Sequence, residues 1–213
     1  PFQYFKTNHS ESFHKACAIR GWYWMGYRLG DRYVKTSIHE RTSTIKKLQD
    51  KMNNSLFLSF TQFQPDFFEK IIKQISDFNP KVIRGYPFPL VFLSEQIVAQ
   101  KGKYPSSNIK AVNTTGSTLH DKDRKYIETV FNVRVFDSYS CEGGAYYSQC
   151  PTLSNYHPAE EYAISEFIRD DFYSLDPEKP LRHITTDLHN YACPFIRYDT
   201  QDYIVLNDND EHC

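Results

Sequence analysis

The stretch Pro194-Phe195-Ile196-Arg197-Tyr198-Asp199-Thr200-Gln201-Asp202 packs a proline, an apolar pair, a guanidinium and two carboxylates into nine residues. Just upstream, His183-Ile184-Thr185-Thr186-Asp187-Leu188 is dominated by β-branched residues and predicts a strand. The short polar turn His189-Asn190, then Pro194 and a second strand-like run, predict a hairpin with a rigid corner. A carboxylate at the end of such a corner can accept two hydroxyl hydrogen bonds at once. Proteins commonly hold the vicinal hydroxyls of a ribose in this way. A surface hairpin with ordinary ion pairs would use the same residue types, so the segment alone leaves both readings open.

Outward from this hairpin, helix and strand signals alternate without internal repeats. Helices are predicted over 10–27, 64–78, 90–100 and 121–130. The clearest face is Phe67, Phe68, Ile71, Ile72 and Ile75, which recur at helical period. Strands are predicted over 32–38, 56–60, 81–86, 109–114 and 133–136, and the polar segment 40–54 reads as an exposed helix or a long loop. Strand–helix–strand spacing of this kind implies parallel pairing with right-handed crossovers. From Tyr162 onward the chain is richer in strands and proline, which predicts an antiparallel, barrel-like subdomain. The expected fold class is therefore α/β: a mostly parallel sheet flanked by helices over 1–150, and part of a β-barrel-like subdomain over 151–213.

Bulk properties narrow the function classes. The chain has 213 residues, 40% of them hydrophobic and 16% aromatic, enough for a buried core in which many rings pack. A net charge of -1 supplies no field that would favour nucleic acid or an anionic membrane surface. No apolar run has the length of a membrane span, and no signal peptide is visible. The five cysteines, Cys17, Cys141, Cys150, Cys193 and Cys213, are odd in number and scattered, a poor disulfide framework that points to a reducing, cytoplasmic location. The run Asn207-Asp208-Asn209-Asp210-Glu211 reads as a solvated turn.

Two loops are expected beyond the carboxyl ends of strands, where open parallel sheets bind ligands. The first is Thr114-Thr115-Gly116-Ser117-Thr118. Its glycine lets the backbone approach a flat ring closely, and its carbonyls and amides can read the edge of an adenine. The second is Phe136-Asp137-Ser138-Tyr139-Ser140-Cys141-Glu142-Gly143-Gly144. Its tyrosine offers a stacking face for a base, and its glutamate a hard oxygen for Mg²⁺. Tyr139 would equally serve as a core aromatic at a strand end.

The run Pro194 to Asp202 resembles the Pro-[Leu/Phe]-Ile-Arg-Tyr-x-Thr-Gly-Asp motif of the adenylate-forming enzymes, with Gln201 at the usual glycine. It is most similar to the phenylacetate–CoA ligase-like branch, which includes ligase-like proteins of capsular polysaccharide loci. The second loop resembles the family's Asp-x-Tyr-Gly-x-[Ser/Thr]-Glu motif. Here Ser140 replaces a glycine and Glu142 arrives one residue early. The resemblance implies that Asp202 binds the ribose hydroxyls of ATP and that Tyr139 stacks on adenine. It implies that Gly116, Ser117 and Thr118 form the adenine loop, that Asp137 and Arg197 belong to the nucleotide site, and that Glu142 is a magnesium ligand. Arg84-Gly85-Tyr86-Pro87 resembles the family's Gly-Tyr-Pro turn, which would place Tyr86 near the acyl pocket. The branch often has Cys-x-Cys-Gly-Arg where Cys213 stands; with Cys150 and His157 this implies a structural zinc site.

Pro1 resembles the last residue of the family's phosphate loop. That loop and the C-terminal domain with the catalytic lysine are expected outside this chain, which would make it a partial adenylation domain with no catalytic residue of its own. The implied activity joins a small carboxylic acid to ATP, with Mg²⁺, and passes the acyl group to CoA. The fragment itself is expected to bind adenosine weakly without turnover. A non-catalytic adenylate-forming-like protein and an α/β interaction module remain as alternatives.

Overall fold

The structure is a computed structural model and describes residues 3–61, 64–100, 108–141, 143–152, 154–169 and 180–206. In chain order the elements are α1 (Asn8–Trp24), β1 (Tyr33–Ser37), α2 (Thr44–Met52), β2 (Ser55–Ser59), α3 (Pro65–Phe78), β3 (Val82–Gly85), α4 (Pro87–Ala99), β4 (Ala111–Thr115), α5 (Asp121–Phe131), β5 (Arg134–Ser140), β6 (Tyr146–Gln149), β7 (Tyr156–Pro158), β8 (Ala163–Ile168), β9 (Leu181–Asp187) and β10 (Tyr198–Ile204). They build a seven-stranded sheet of order β2-β1-β3-β4-β5-β6-β7 and a three-stranded sheet of order β10-β9-β8. The chain forms two compact units, one of residues 22–137 and one of residues 1–21 with 138–213.

In the 22–137 unit, β1 pairs in parallel with both β2 and β3, and β3 with β4. Local chemistry sets the helices that connect them. α3 starts with a proline and stops at Asn79, whose left-handed backbone (φ 50) closes the last turn. α4 also starts with a proline, and α5 opens with Asp121 and Asp123 at its positive end and stops at Asn132 (φ 49). Phe68, Ile71, Ile72 and Ile75 of α3 fall on one face and are buried with Val34, Ile83, Val112 and Phe131 in one apolar core. The segment 40–54 resolves into α2 and its flanks. α2 is capped by Ser43, whose hydroxyl accepts from the amide of Lys46.

In the other unit, β8, β9 and β10 are antiparallel, as the strand-rich last third predicts. The hairpin differs in detail. Pro194 to Arg197 are not strand; β10 begins at Tyr198, so a long connection rather than a short turn joins it to β9. Asp187 explains the detour, because its Oδ1 accepts from the amides of His189 (2.7 Å) and Asn190 (3.0 Å) and folds the chain away from the ladder. β6 and β7 pair antiparallel, and neither appears among the predicted strands.

Candidate functional site

Tyr139 lies within a strand rather than in a loop. β5 runs to Ser140 and turns back as β6, with Tyr139 opposite Tyr147 in the antiparallel register. The two rings pack at a centroid distance of 5.2 Å, a cross-strand pair that favours ladder over loop. The turn is tight. Gly144 has φ +102, and a Cβ there would meet the Asp187 side chain at 2.6 Å. Glu142 lies outside the described residues.

Asp202 is brought to Tyr139 by a β-bulge. Asp199 pairs with Ile184 and Tyr203 with Arg182, so the register shifts between them and Thr200-Gln201-Asp202 stand out of the ladder. Thr200 pins the bulge: its hydroxyl donates to the carbonyl of His183 (2.9 Å) and accepts from the amide of Asp202 (3.1 Å). Gln201 takes φ 61, the left-handed conformation for which glycine is the usual residue. The bulge projects Asp202 so that Tyr139 donates its hydroxyl to Oδ2 at 2.7 Å. Burial, followed by the neighbouring Cys141 and Asp202, pushes the Tyr139 phenol far above its ordinary range and keeps it protonated as a donor.

Behind this pair sits His183 of β9, fully buried. Its Nδ1 is 3.3 Å from the Tyr139 hydroxyl and its Nε2 is 2.7 Å from the Tyr147 hydroxyl. Burial lowers the His183 pKa, against a smaller opposing pull from Asp202. Tyr147 is pushed up to about 12, chiefly by burial. His183 and Tyr147 are absent from the residues singled out by sequence. His183 opens a run that reads simply as a strand, and Tyr147 belongs to an aromatic pair just past a glycine-rich turn. Neither carries a motif.

Arg197 places its Nε 3.1 Å from the Glu166 carboxylate, and its amide donates to Thr186 Oγ1 at 2.9 Å. The remaining predicted nucleotide and acid-pocket residues among the described ones belong to the 22–137 unit. Gly116, Ser117 and Thr118 are exposed at the carboxyl end of β4. Gly116 has φ +82, and a Cβ on it would come within 2.3 Å of the Tyr86 ring, so the Gly-Tyr-Pro turn packs directly on the glycine loop. Asp137 is buried and accepts from Thr114 Oγ1 at 2.5 Å, which ties β4 to β5. A separate cleft of about 630 Å³ along edge strand β2 is lined by Arg32, Arg41, Asp50, Phe57 and Phe78, none of them a predicted site residue. Arg41 forks onto Asp50 there, at 2.8 and 3.0 Å.

The metal expectations find little here. Cys150 is buried, and its Sγ accepts from the Thr152 amide at 3.4 Å. Cys213 lies outside the described residues, and among the described residues no three His, Cys, Asp or Glu side chains group as metal ligands. Nor is any described helix long and apolar enough to cross a membrane.

This architecture is shared with solved structures of CoA ligases. No protein-family model and no curated protein matches the sequence, but solved structures share its fold. One is a 2-hydroxyisobutyryl-CoA ligase in complex with 2-HIB-AMP and CoA: 15% identity, TM-score 0.69, covering 96% of this chain and 48% of that chain. Another is VinN, at 15% identity and TM-score 0.57, covering 91% and 52% respectively. A third is the anthranilate CoA ligase AuaEII in complex with anthranoyl-AMP, at 11% identity and TM-score 0.52, covering 83% and 36%. The chain thus spans about half the length of the first two.

Proposed function

We propose that this chain is the nucleoside-binding part of an enzyme that activates a small carboxylic acid with ATP. The observation that carries the reading is the Tyr139–Asp202 hydrogen bond, 2.7 Å long between residues 63 apart in sequence. It joins the aromatic and the carboxylate that the motifs assign to base and ribose. An ionised carboxylate offers about four acceptor positions. Tyr139 uses one, so Asp202 retains capacity for both ribose hydroxyls. The Tyr139 ring then offers a face to the base; Gly116, Ser117 and Thr118 are proposed for the adenine edge on the motif resemblance alone. Tyr86, packed on that glycine, is the residue proposed for the acid pocket.

In the whole protein, an oxygen of the acid's carboxylate would attack the α-phosphorus of ATP, breaking the bond to pyrophosphate and forming an acyl-adenylate. The thiol of CoA would then attack the acyl carbon, and AMP would leave with the bonding electrons. Mg²⁺ would offset phosphate charge in the first step, with Glu142 as its proposed ligand. The catalytic lysine is proposed to lie outside these 213 residues. A cytoplasmic location and a place in the phenylacetate–CoA ligase-like branch belong to the same proposal. Gln201 bears on the non-catalytic alternative: it keeps the left-handed backbone that a glycine would adopt, so its presence leaves the Asp202 bulge intact.

Calorimetric titration with adenosine tests the reading. The chain should bind adenosine weakly, in the millimolar range typical of a few hydrogen bonds and one stacked ring (about 4 kcal/mol), and Asp202→Ala should weaken the binding roughly thirtyfold. Titrations that are identical for the wild type and D202A would refute it.

A further inference from the structure

The cleft along edge strand β2 contains no residue assigned to the nucleoside or the acid. β1 and β3 stand between β2 and β4, so about 14 Å of sheet separates it from the strand that carries the glycine loop. Its volume of about 630 Å³ suits a small molecule. Its lining includes four cations, Arg32, Arg41, Lys47 and Lys51, against two carboxylates, Asp50 and Asp77. That is a local surplus of two positive charges in a chain whose net charge is -1.

Both carboxylates are already engaged. Asp50 is buried and accepts from Arg41 Nε and Nη2 at 2.8 and 3.0 Å, and Asp77 accepts from Lys73 at 2.8 Å. Three of the four cations find no such partner. Arg32 donates Nη1 to the carbonyl of Phe78 at 3.1 Å, which uses a hydrogen but offsets no charge. Lys47 and Lys51 stand one turn apart on α2, hence on one face, and among the described residues neither has a carboxylate partner.

Arg41 turns this patch of charge into a site. Asp50 fixes one edge of its guanidinium, and the plane rests over the Phe57 ring, 4.2 Å from the guanidinium carbon to the ring centroid. The fork consumes the hydrogen of Nε and one of Nη2. Both hydrogens of Nη1 and the second of Nη2 have no partner among the described residues. One from each nitrogen forms the end-on edge, a parallel pair of donors that matches two oxygens of a phosphate. The guanidinium is held before any ligand arrives, so little side-chain freedom is lost on binding.

We infer that this cleft is a second ligand site, for a small phosphate monoester: Arg41 takes two phosphate oxygens through its end-on edge, and Lys47 and Lys51 supply the balancing charge. A monoester carries close to two negative charges at pH 7.5, because its second ionisation lies near pH 6. That charge equals the surplus of the lining. The site is independent of the nucleoside reading.

The test uses phenyl phosphate and benzenesulfonate, a dianion and a monoanion of similar shape, added to the ¹⁵N-labelled chain at pH 7.5 and constant ionic strength. Phenyl phosphate should shift the backbone amides of 44–57 and the Arg41 Nε–H signal, and benzenesulfonate should bind about fivefold more weakly. The double variant Lys47→Ala/Lys51→Ala keeps α2, because alanine is the best helix former, and should weaken phenyl phosphate about tenfold. Equal binding of the two anions, wild-type affinity in the double variant, or shifts centred on Gly116 to Thr118 or on Asp202 rather than on 44–57, would each overturn the inference.

Discussion

The two units of this chain are held together by different physics. The 22–137 unit gathers sixteen buried aliphatic and phenyl residues into one cluster, so its cohesion is the removal of apolar surface from water. Among the described residues of 1–21 and 138–213 the corresponding cluster has four residues: Cys17, Tyr146, Ala159 and Tyr162. What replaces apolar bulk there is rings with polar tips. Phe13 stacks on His189 at 3.7 Å, His189 Nε2 meets the carbonyl of Glu161 at 2.8 Å, and Arg20 pairs with the Glu161 carboxylate. His183 joins Tyr139 to Tyr147. An apolar core responds to lost volume and ignores pH. A core of hydrogen-bonded rings responds to lost partners and to protonation. The second kind supplies the aimed donors and acceptors that ligand recognition needs.

The contrast is broken most forcefully in the apolar unit. Phe68→Ala deletes a fully buried ring, and unfolding in urea should show a loss of about 3–5 kcal/mol for that unit, independent of pH between 5 and 8. A marked pH dependence of that loss would erase the distinction between the units.

In the polar unit, Asp202→Ala should leave folding nearly unchanged, because the carboxylate is exposed, while adenosine affinity falls by about 2 kcal/mol, or roughly thirtyfold. Loss of stability without loss of affinity would recast Asp202 as a purely structural partner of Tyr139. Thr200→Val keeps the shape of the residue but removes the hydroxyl that ties the bulge to His183 and Asp202. Stability should drop by about 1 kcal/mol, with weaker adenosine binding alongside. A T200V variant that binds as the wild type does would show that strand geometry alone sets the bulge.

The pH arm follows from His183. Burial puts its folded pKa below the ordinary value of 6.5, so between those two values the unfolded chain binds more protons and stability rises with pH. Urea midpoints should climb from pH 5 to 7, and His183→Asn should flatten that climb. Tyr147 works at the other end: its pKa is raised from 10.0 to about 12, so its contribution is complete below pH 10 and fades as pH passes through 12. A flat wild-type profile between pH 5 and 7 would contradict the neutral buried imidazole. The smallest effect is expected at Lys73→Ala, which removes an exposed i,i+4 pair with Asp77 and should cost no more than about 0.5 kcal/mol by thermal unfolding.

The helices and parallel strands of the 22–137 unit were legible because their signals are local. Phe68, Ile71, Ile72 and Ile75 repeat at helical spacing wherever the helix ends up, and Asn79 and Asn132 stop their helices by their own backbone preference. Tyr139, Arg197 and Asp202 stand out in the sequence because residue type and order carry the resemblance. The β-bulge was not readable. It depends on how β10 registers against β9, and register is a property of the pair. Tyr139's place inside a strand was hidden for the same reason, because its cross-strand partner Tyr147 lies beyond a turn rich in glycine. His183 was read only as a strand residue. Its meaning arises where three strands set Tyr139, Tyr147 and Ser165 around it. Sequence determines what a segment prefers by itself, because torsions and periodicity act over a few residues. Tertiary structure decided which donor faces which acceptor, because a hydrogen bond depends on ångström distances between groups that only the folded sheets bring together.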